Sequence, residues 1–437
     1  MNSPTQSLPG VSEVFADGTV VEMAYQPTEA KTSFIVWKDG QWSREQQFQT
    51  STGRVLVPYS PYNNLVKNEV VLFPSEPAEY GSEDELIQAL QDFIHRYVDV
   101  GPLYEKIASY YILFTWVYDG FNELPYLRVR GDYGSGKTRF LLTVGRLCYK
   151  PIFASGASTV SPLFRLLDTF RGTLVIDECD FRLSTEQAEV VKIFNQGNSK
   201  GFPVLRSEVV GTREFNPRAY QVFGPKLVAT RGYFDDRALE SRFITEEMGL
   251  LRLRDDIPIN LPPSHREEAL ALRNKLLLFR FRNLHKRQPI EGLVDRQIEP
   301  RLNQIFVPLL SIISDSQARE NLRELARRYD REIVAERGMS IEAQLLEVIR
   351  EIASAPEGRQ PSIKQITERF VERYQEDYER KVTSKWIGSI VRKRLSLKPQ
   401  KSHGVYVIPL LEEGKLQRLY QKYGLVGNGE ASSPNGS

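Results

Sequence analysis

The sequence predicts an α/β protein built on a mainly parallel sheet. Between about Leu124 and Met248, short apolar runs alternate with segments of helical spacing, the order that lays helices against parallel strands. One run, Leu127-Arg128-Val129, is followed by a glycine-rich octet and then by a helix from Lys137 to Cys148. Another, Thr173 to Ile176, ends in the adjacent carboxylates Asp177 and Glu178.

With 437 residues the chain is long enough for more than one core, since single cores stop growing near about 250–300 residues. A formal net charge of +2 gives no whole-chain argument for nucleic acid or for a membrane surface, so such evidence has to be local. Cys148 and Cys179 lie far apart and the four histidines are scattered, which argues against a disulfide framework and a zinc site. Reduced thiols fit a cytoplasmic protein. The N-terminus lacks a basic stretch followed by an apolar run, so no signal peptide is expected. The most apolar segment, Tyr110 to Tyr118, is about half the length of a membrane helix, so no membrane partner is expected.

Five segments are expected. Residues 1–80 read as a small β-rich N-terminal module, with strands at Gly18–Met23 and Thr32–Trp37 and a hairpin turn at Asp39-Gly40. Residues 81–250 form the α/β core, entered by two helices within 82–119. The first opens with Ser82 and Glu85 as a capping box, and the second, Pro102 to Tyr118, is apolar nearly all round and therefore buried. Further strands fall at Pro151–Ala154 and Lys226–Thr230, with helices at Pro162–Phe170 and Ser184–Asn195. Residues 251–358 are helical and highly charged, a lid and linker. Residues 359–425 form a compact terminal unit and 426–437 a disordered tail. Residues 1–10 read as disordered too.

The octet Gly131-Asp132-Tyr133-Gly134-Ser135-Gly136-Lys137-Thr138 satisfies G-x-x-x-x-G-K-[ST] between a strand and a helix. In such a phosphate-binding loop Gly131, Gly134, Ser135 and Gly136 let backbone N–H groups curl round a phosphate at a helix N-terminus. Lys137 reaches the β- and γ-phosphates of ATP, and the Thr138 hydroxyl ligates Mg²⁺. Asp177 and Glu178, about forty residues on, sit at the carboxyl end of a buried strand, where ligands bind in open α/β sheets. Asp177 would hold Mg²⁺ through water, and Glu178 would act as general base on the attacking water. Asp177-Glu178-Cys179-Asp180 also fits the D-E-x-D box of another helicase superfamily, but no second set of motor motifs accompanies it.

Thr230 ends the next apolar strand, where a hydroxyl can sit beside the γ-phosphate. Asp235 to Phe243 reads as a short helix ending in Arg242. That arginine suits a finger given to a neighbouring subunit's ATP, with Arg237 the second choice.

These segments resemble the AAA+ ATPases: the loop, the acidic strand, Thr230 and Ala238-Leu239-Glu240-Ser241-Arg242 follow that order. Leu113 to Asp119 and Asn195 to Gly201 look like the ATPase part of primase–helicases of plasmids and other mobile elements. More distantly the arrangement is similar to superfamily 3 and minichromosome-maintenance helicases, over about residues 82–320. Many AAA+ proteins carry Asn where this chain has Thr230. The resemblance implies a ring, a hexamer, with a lid arginine on the γ-phosphate, for which Arg301 stands in the right region. It also implies pore loops gripping a single DNA strand. Runs on either side of Gly211 form a hairpin whose Lys200, Phe202 and Arg213 offer charge and a stacking face. A plain solvated hairpin is the alternative.

In the terminal unit, helices from Ser362 and from Thr383 precede a strand at Gly404–Ile408, an order that looks like a winged helix. From Arg380 to Lys401 all charges are basic: Arg380, Lys381, Lys385, Arg392, Lys393, Arg394, Lys398 and Lys401. That is the pattern phosphate neutralisation requires. Trp386, Ile390 and Leu395 read as core, and the second helix as the one facing duplex or forked DNA. A winged helix used for protein contacts is the alternative. The expected function is an ATP-hydrolysing, DNA-binding helicase or translocase in replication of a mobile element. A nucleotide-switched loader or initiator, or a protein remodeller, are the other readings. Any priming falls to a primase or polymerase partner.

Overall fold

The computed structural model describes residues 7–180, 185–207, 216–234, 236–249, 253–355, 360–378, 381–402 and 404–425, the side chains of 185–188 and 336–338 excepted. The chain divides into two units, one up to Glu324 and one from Leu325.

The first unit opens with β1 (Ser7–Gly10), β2 (Ser12–Val14), β3 (Val20–Gln26), β4 (Lys31–Lys38), β5 (Gln41–Glu45), β6 (Phe48–Gln49) and β7 (Val55–Pro58). Strands β2-β3-β4-β5 form one sheet and β1-β7-β6 another. Asp39 and Gly40 both take positive φ, +50° and +79°, the turn that matches strand twist in a two-residue hairpin. Residues 7–10 are not disordered: their backbone pairs in parallel with β7. Nor do residues 1–80 stand apart. Trp37 stacks on Phe281 at 5.5 Å, and the buried Glu22 accepts from Arg280 Nε at 2.7 Å and Tyr149 Oη at 2.6 Å.

After the short α1 (Asn64–Lys67), α2 (Glu83–Tyr97) starts from the Ser82–Glu85 capping box. Helix α3 (Pro102–Val117) is buried along most of its length, as the stretch Ile107–Val117, which carries no charged residue, requires. Tyr111 on it donates to Lys226 O at 2.9 Å, and Trp116 to Leu147 O at 2.8 Å.

The central layer comprises β8 (Tyr126–Arg130), α4 (Lys137–Val144), β9 (Ile152–Ser155), α5 (Val160–Phe170), β10 (Leu174–Asp177), α6 (Thr185–Gln196), β11 (Val204–Arg206), β12 (Arg218–Tyr220), β13 (Lys226–Thr230), α7 (Arg237–Glu240) and β14 (Phe243–Glu247). Five of these strands form an all-parallel sheet in the order β14-β8-β13-β10-β9. This is an α/β architecture consistent with a P-loop core. Strand β13 lies between β8 and β10, so the glycine-rich loop and the acidic strand flank it. Strands β11 and β12 pair antiparallel, with Val204 opposite Tyr220. The residues between them at 208–215, which include Gly211 and Arg213, lie outside the described residues. Helices α8 (Ser264–Asn283) and α9 (Pro300–Leu310) both pack against α3, and α10 (Ser316–Gly338) runs across the division.

In the second unit α11 (Ile341–Ser354), α12 (Ile363–Tyr374), α13 (Ser384–Lys393), a hairpin of β15 (Gln400–Ser402) and β16 (Val405–Val407), and α14 (Glu413–Lys422) share one core. Leu345, Leu346, Ile366, Phe370, Ile387, Val391 and Ile408 fill it. The division at Glu324/Leu325 thus places α11 with this unit, whereas the charge pattern assigned it to the segment ending at 358. Ser362 bridges to Val407, which ties the hairpin to the start of α12. Ile390 and Leu395 are buried as expected, but Trp386 is 38% exposed and meets Tyr378 edge-on at 5.6 Å. The buried stripe of α13 is Ile387, Ile390 and Val391, and Trp386 falls beside that stripe rather than on it.

Candidate active site

The loop Gly131–Gly136 joins β8 to α4. Gly134 and Gly136 take φ of +78° and +89°, a region that costs an L side chain dearly. Gly136 caps α4 without a side-chain hydrogen bond, which leaves the first N–H groups of the helix available to an anion. The base of the loop is pinned by Gly131 N–H donating to Thr230 O at 3.2 Å and Met248 N–H to Arg130 O at 2.7 Å. Lys137 Nζ donates to Gly131 O and Asp132 O, both at 2.7 Å, and lies 3.4 Å from Ser135 Oγ. Desolvation lowers the Lys137 pKa; Asp180 and Asp177 oppose this and Arg231 reinforces it. These four charges therefore share one site.

Thr138 Oγ1 donates to Asp177 Oδ2 at 2.6 Å, which brings the last loop residue onto the end of β10. Glu178 follows with φ +54°, a rare conformation for a residue that is not glycine. Its N–H donates to Asp177 Oδ1 at 2.9 Å, and its side chain is 71% exposed. Gly156 braces this turn. Its N–H donates to Asp177 O at 2.8 Å, and a Cβ there would stand 2.1 Å from Glu178 O.

Two further groups join them. Arg231 N–H donates to Asp180 Oδ1 at 2.6 Å, and its guanidinium lies 3.6 Å from Glu178 Oε1 and 3.8 Å from Asp180 Oδ2. Neither Arg231 nor Asp180 was singled out as a site residue from the sequence. The available signal was a cation directly after an apolar strand, hidden behind the polar Thr230 that ends it. Thr230 itself is buried, and its hydroxyl donates to Gly232 O at 3.0 Å, back into its own turn.

ATP with Mg²⁺ fits this donor set. The loop offers backbone N–H groups and an ammonium for phosphates. Thr138 and Asp177 offer the hard oxygen ligands that Mg²⁺ takes alongside water and phosphate oxygens.

Arg242 is elsewhere. Phe243 pairs with Tyr126 at the start of β8, so Arg242 lies at the amino edge of the sheet. The loop leaves the carboxyl edge, roughly 16 Å away along a five-residue strand. Arg242 Nε donates to Asn198 Oδ1 at 2.8 Å and its terminal nitrogens to Asn195 Oδ1, Ala238 O and, at 3.1 Å, Asn195 O. Burial and then the charge of Arg301 lower its pKa. The charge of Arg301, near the start of α9, thus reaches Arg242. Arg237 is exposed at the start of α7.

Among the expected nucleic-acid contacts, Phe202 is 68% exposed. Lys200 Nζ donates to Asp119 O at 2.7 Å and lies 5.4 Å from the Phe223 ring, and burial lowers its pKa. In the second unit Lys385, Arg392 and Lys393 are exposed, whereas Arg394 is ion-paired to Glu342 at 3.1 Å. Arg380 lies outside the described residues.

No protein-family model and no curated protein matches the chain. Among solved structures it is similar to the apo C-terminal region of NrS-1, with TM-score 0.33 and 10% identity over 89% of this chain and 95% of that one. It is similar to the active helicase Cch of SCCmec type IV, with TM-score 0.33 and 12% identity over 93% and 97%. It is also similar to the JCV helicase, with TM-score 0.24 and 15% identity over 62% and 64%. Values this low have no bearing on activity; the geometry of the site does.

Proposed function

We propose that the chain is an ATP-hydrolysing, DNA-binding AAA+ motor that works as a ring, a hexamer, to translocate along or unwind DNA in replication of a mobile element. One observation carries the reading. Lys137 and Thr138 meet Asp177, Glu178, Asp180 and Arg231 at the carboxyl edge of a parallel sheet, with Thr138 hydrogen-bonded to Asp177 at 2.6 Å.

Lys137 would exchange its carbonyl partners for the β- and γ-phosphates. Thr138 and Asp177 would hold Mg²⁺, which supplies positive charge against the phosphates. Glu178, lifted outward by its left-handed backbone, would take a proton from the attacking water. Arg231 acts as a positioning residue for Glu178 and fills the place expected for Thr230. Arg242 and Arg301, together at the amino edge, would serve a neighbouring copy's nucleotide, where a cation stabilises the charge of the transition state. Phe202 and Lys200, with Arg213, would contact a single strand. The second unit would act as a winged helix that presents Ser384, Lys385, Arg392 and Lys393 to duplex DNA.

The test is Glu178→Gln. ATP affinity stays within about twofold while turnover falls by at least ~10²-fold, the range for losing a general base; unchanged turnover sinks the reading. One observation favours a nucleotide-switched loader or initiator instead: Lys200 is held by Asp119 O rather than free. Replacing Lys200 and Arg213 by Ala separates the two. Unwinding that persists at the wild-type rate defeats the translocase reading.

A further inference from the structure

Lys226, the first residue of β13, is fully buried. Its ammonium donates to Gly224 O at 2.9 Å, Val222 O at 3.2 Å and Gly197 O at 3.5 Å. It lies 4.7 Å from the Tyr126 ring and 5.8 Å from that of Phe194. These partners are three carbonyls and two rings, with no carboxylate among them. A buried cation so arranged is costly to keep, and a Met of similar volume would fill the slot more cheaply. Stability alone does not account for it.

Its partners come from two places. Val222 and Gly224 belong to the segment that runs from the end of β12 into β13, the descending arm of the β11–β12 hairpin. Gly197 is the turn at the end of α6, set between Asn195 and Asn198, which supply three of the four acceptors that hold Arg242. The fit at Gly197 is close, since a Cβ there would stand 2.3 Å from Lys226 Nζ and 2.6 Å from Val222 O. Gly224 N–H donates to Gly197 O at 3.1 Å, which closes the junction. Burial, and then the charge of Arg242, push the Lys226 ammonium down to about 7, so the two cations sense each other.

We propose that Lys226 is a positioning residue that couples the β11–β12 hairpin to Arg242, so that nucleic acid on the hairpin resets the arginine that completes a neighbouring copy's ATP site. The inference rests on the motor reading above. A pull on the descending arm displaces Val222 and Gly224. Lys226 passes this to Gly197, and Asn195 and Asn198 move with it. Arg242 then leaves or regains its four acceptors.

The experiment compares steady-state ATPase with and without single-stranded DNA for the full chain, Lys226→Met and Lys226→Gln, alongside DNA affinity and thermal midpoint. Coupling of ordinary size stimulates the wild type on the order of tenfold. In Lys226→Met the stimulation collapses to about 1-fold, with basal rate and DNA affinity within about threefold of wild type. Lys226→Gln keeps amide donors for Gly224 O and Val222 O and recovers part of the stimulation. A purely structural role lowers basal and stimulated rates together, and that result overturns the proposal. So does a wild-type stimulation ratio in both variants. A wild-type protein that binds no DNA, or whose ATPase ignores it, defeats the motor reading itself, which separates the two failures.

Discussion

Glu178 owes its position to its neighbours. Its left-handed backbone is sustained by Gly156, whose missing Cβ leaves room for Glu178 O. Gly156→Ala therefore shifts Glu178 without touching the phosphate-binding loop. Turnover is expected to fall by roughly 10²-fold, the cost of misplacing a reacting group by about 1 Å, with nucleotide affinity retained. Parallel turnover and ATP-titration measurements check this; equal losses in both indicate a general collapse of the site. Arg231→Ala is expected to lower turnover and leave nucleotide affinity unchanged, because its described partners are Glu178 and Asp180. The loop and the Asp177-Glu178 pair were legible because each is contiguous and its chemistry is local. Arg231 and Asp180 were not, since their meeting depends on β13 lying beside β10. The influence of Arg301 on Arg242 was hidden for the same kind of reason, since the two are remote in sequence.

Among the elements, α2, α4 and α8 meet at His265. Its ring stacks on Phe93 at 5.0 Å, meets Tyr97 edge-on at 4.8 Å and lies 3.3 Å from Thr143 Oγ1. Burial, reinforced by Arg146, pushes its pKa from 6.5 to about 4. A lowered folded pKa means that the unfolded chain binds more protons over that interval, so stability is lost as pH falls from 6.5 toward 4. Urea melts at pH 7 and pH 5 should show a smaller loss for His265→Phe than for wild type; equal losses contradict the assignment. Helix α2 was readable from its capping box and α12 from its N-cap serine, each with apolar spacing. Strand β14 was not, because Phe243 to Glu247 holds only two apolar residues before its charges, and its place comes from pairing with β8. Helix α14 was missed because its buried residues, Leu416 and Tyr420, are only two. The hairpin β11–β12 was visible as two runs, but its junction with α6 through Lys226 was not, since a lysine in an apolar run reads as a strand end.

At the scale of the molecule, the basic run of the second unit divides into free and committed charges. Lys385 and Lys393 are exposed, while Arg394 is taken up by Glu342. Replacing Lys385 by Ala should reduce the slope of log affinity for duplex DNA against log salt by about 1. Arg394→Ala should change it less; the reverse order counts against the DNA-facing surface proposed for α13. The proposed motor requires that one ATP site be completed by a second copy, because Arg242 stands at the sheet edge opposite Lys137. Mixing two variants tests it most directly. Lys137→Ala disables a chain's own loop and Arg242→Gln disables what it gives its neighbour, so each alone should be inactive. Mixed, some interfaces pair an intact loop with an intact arginine, and ATPase activity should reappear. A mixture as inactive as its two components contradicts the account.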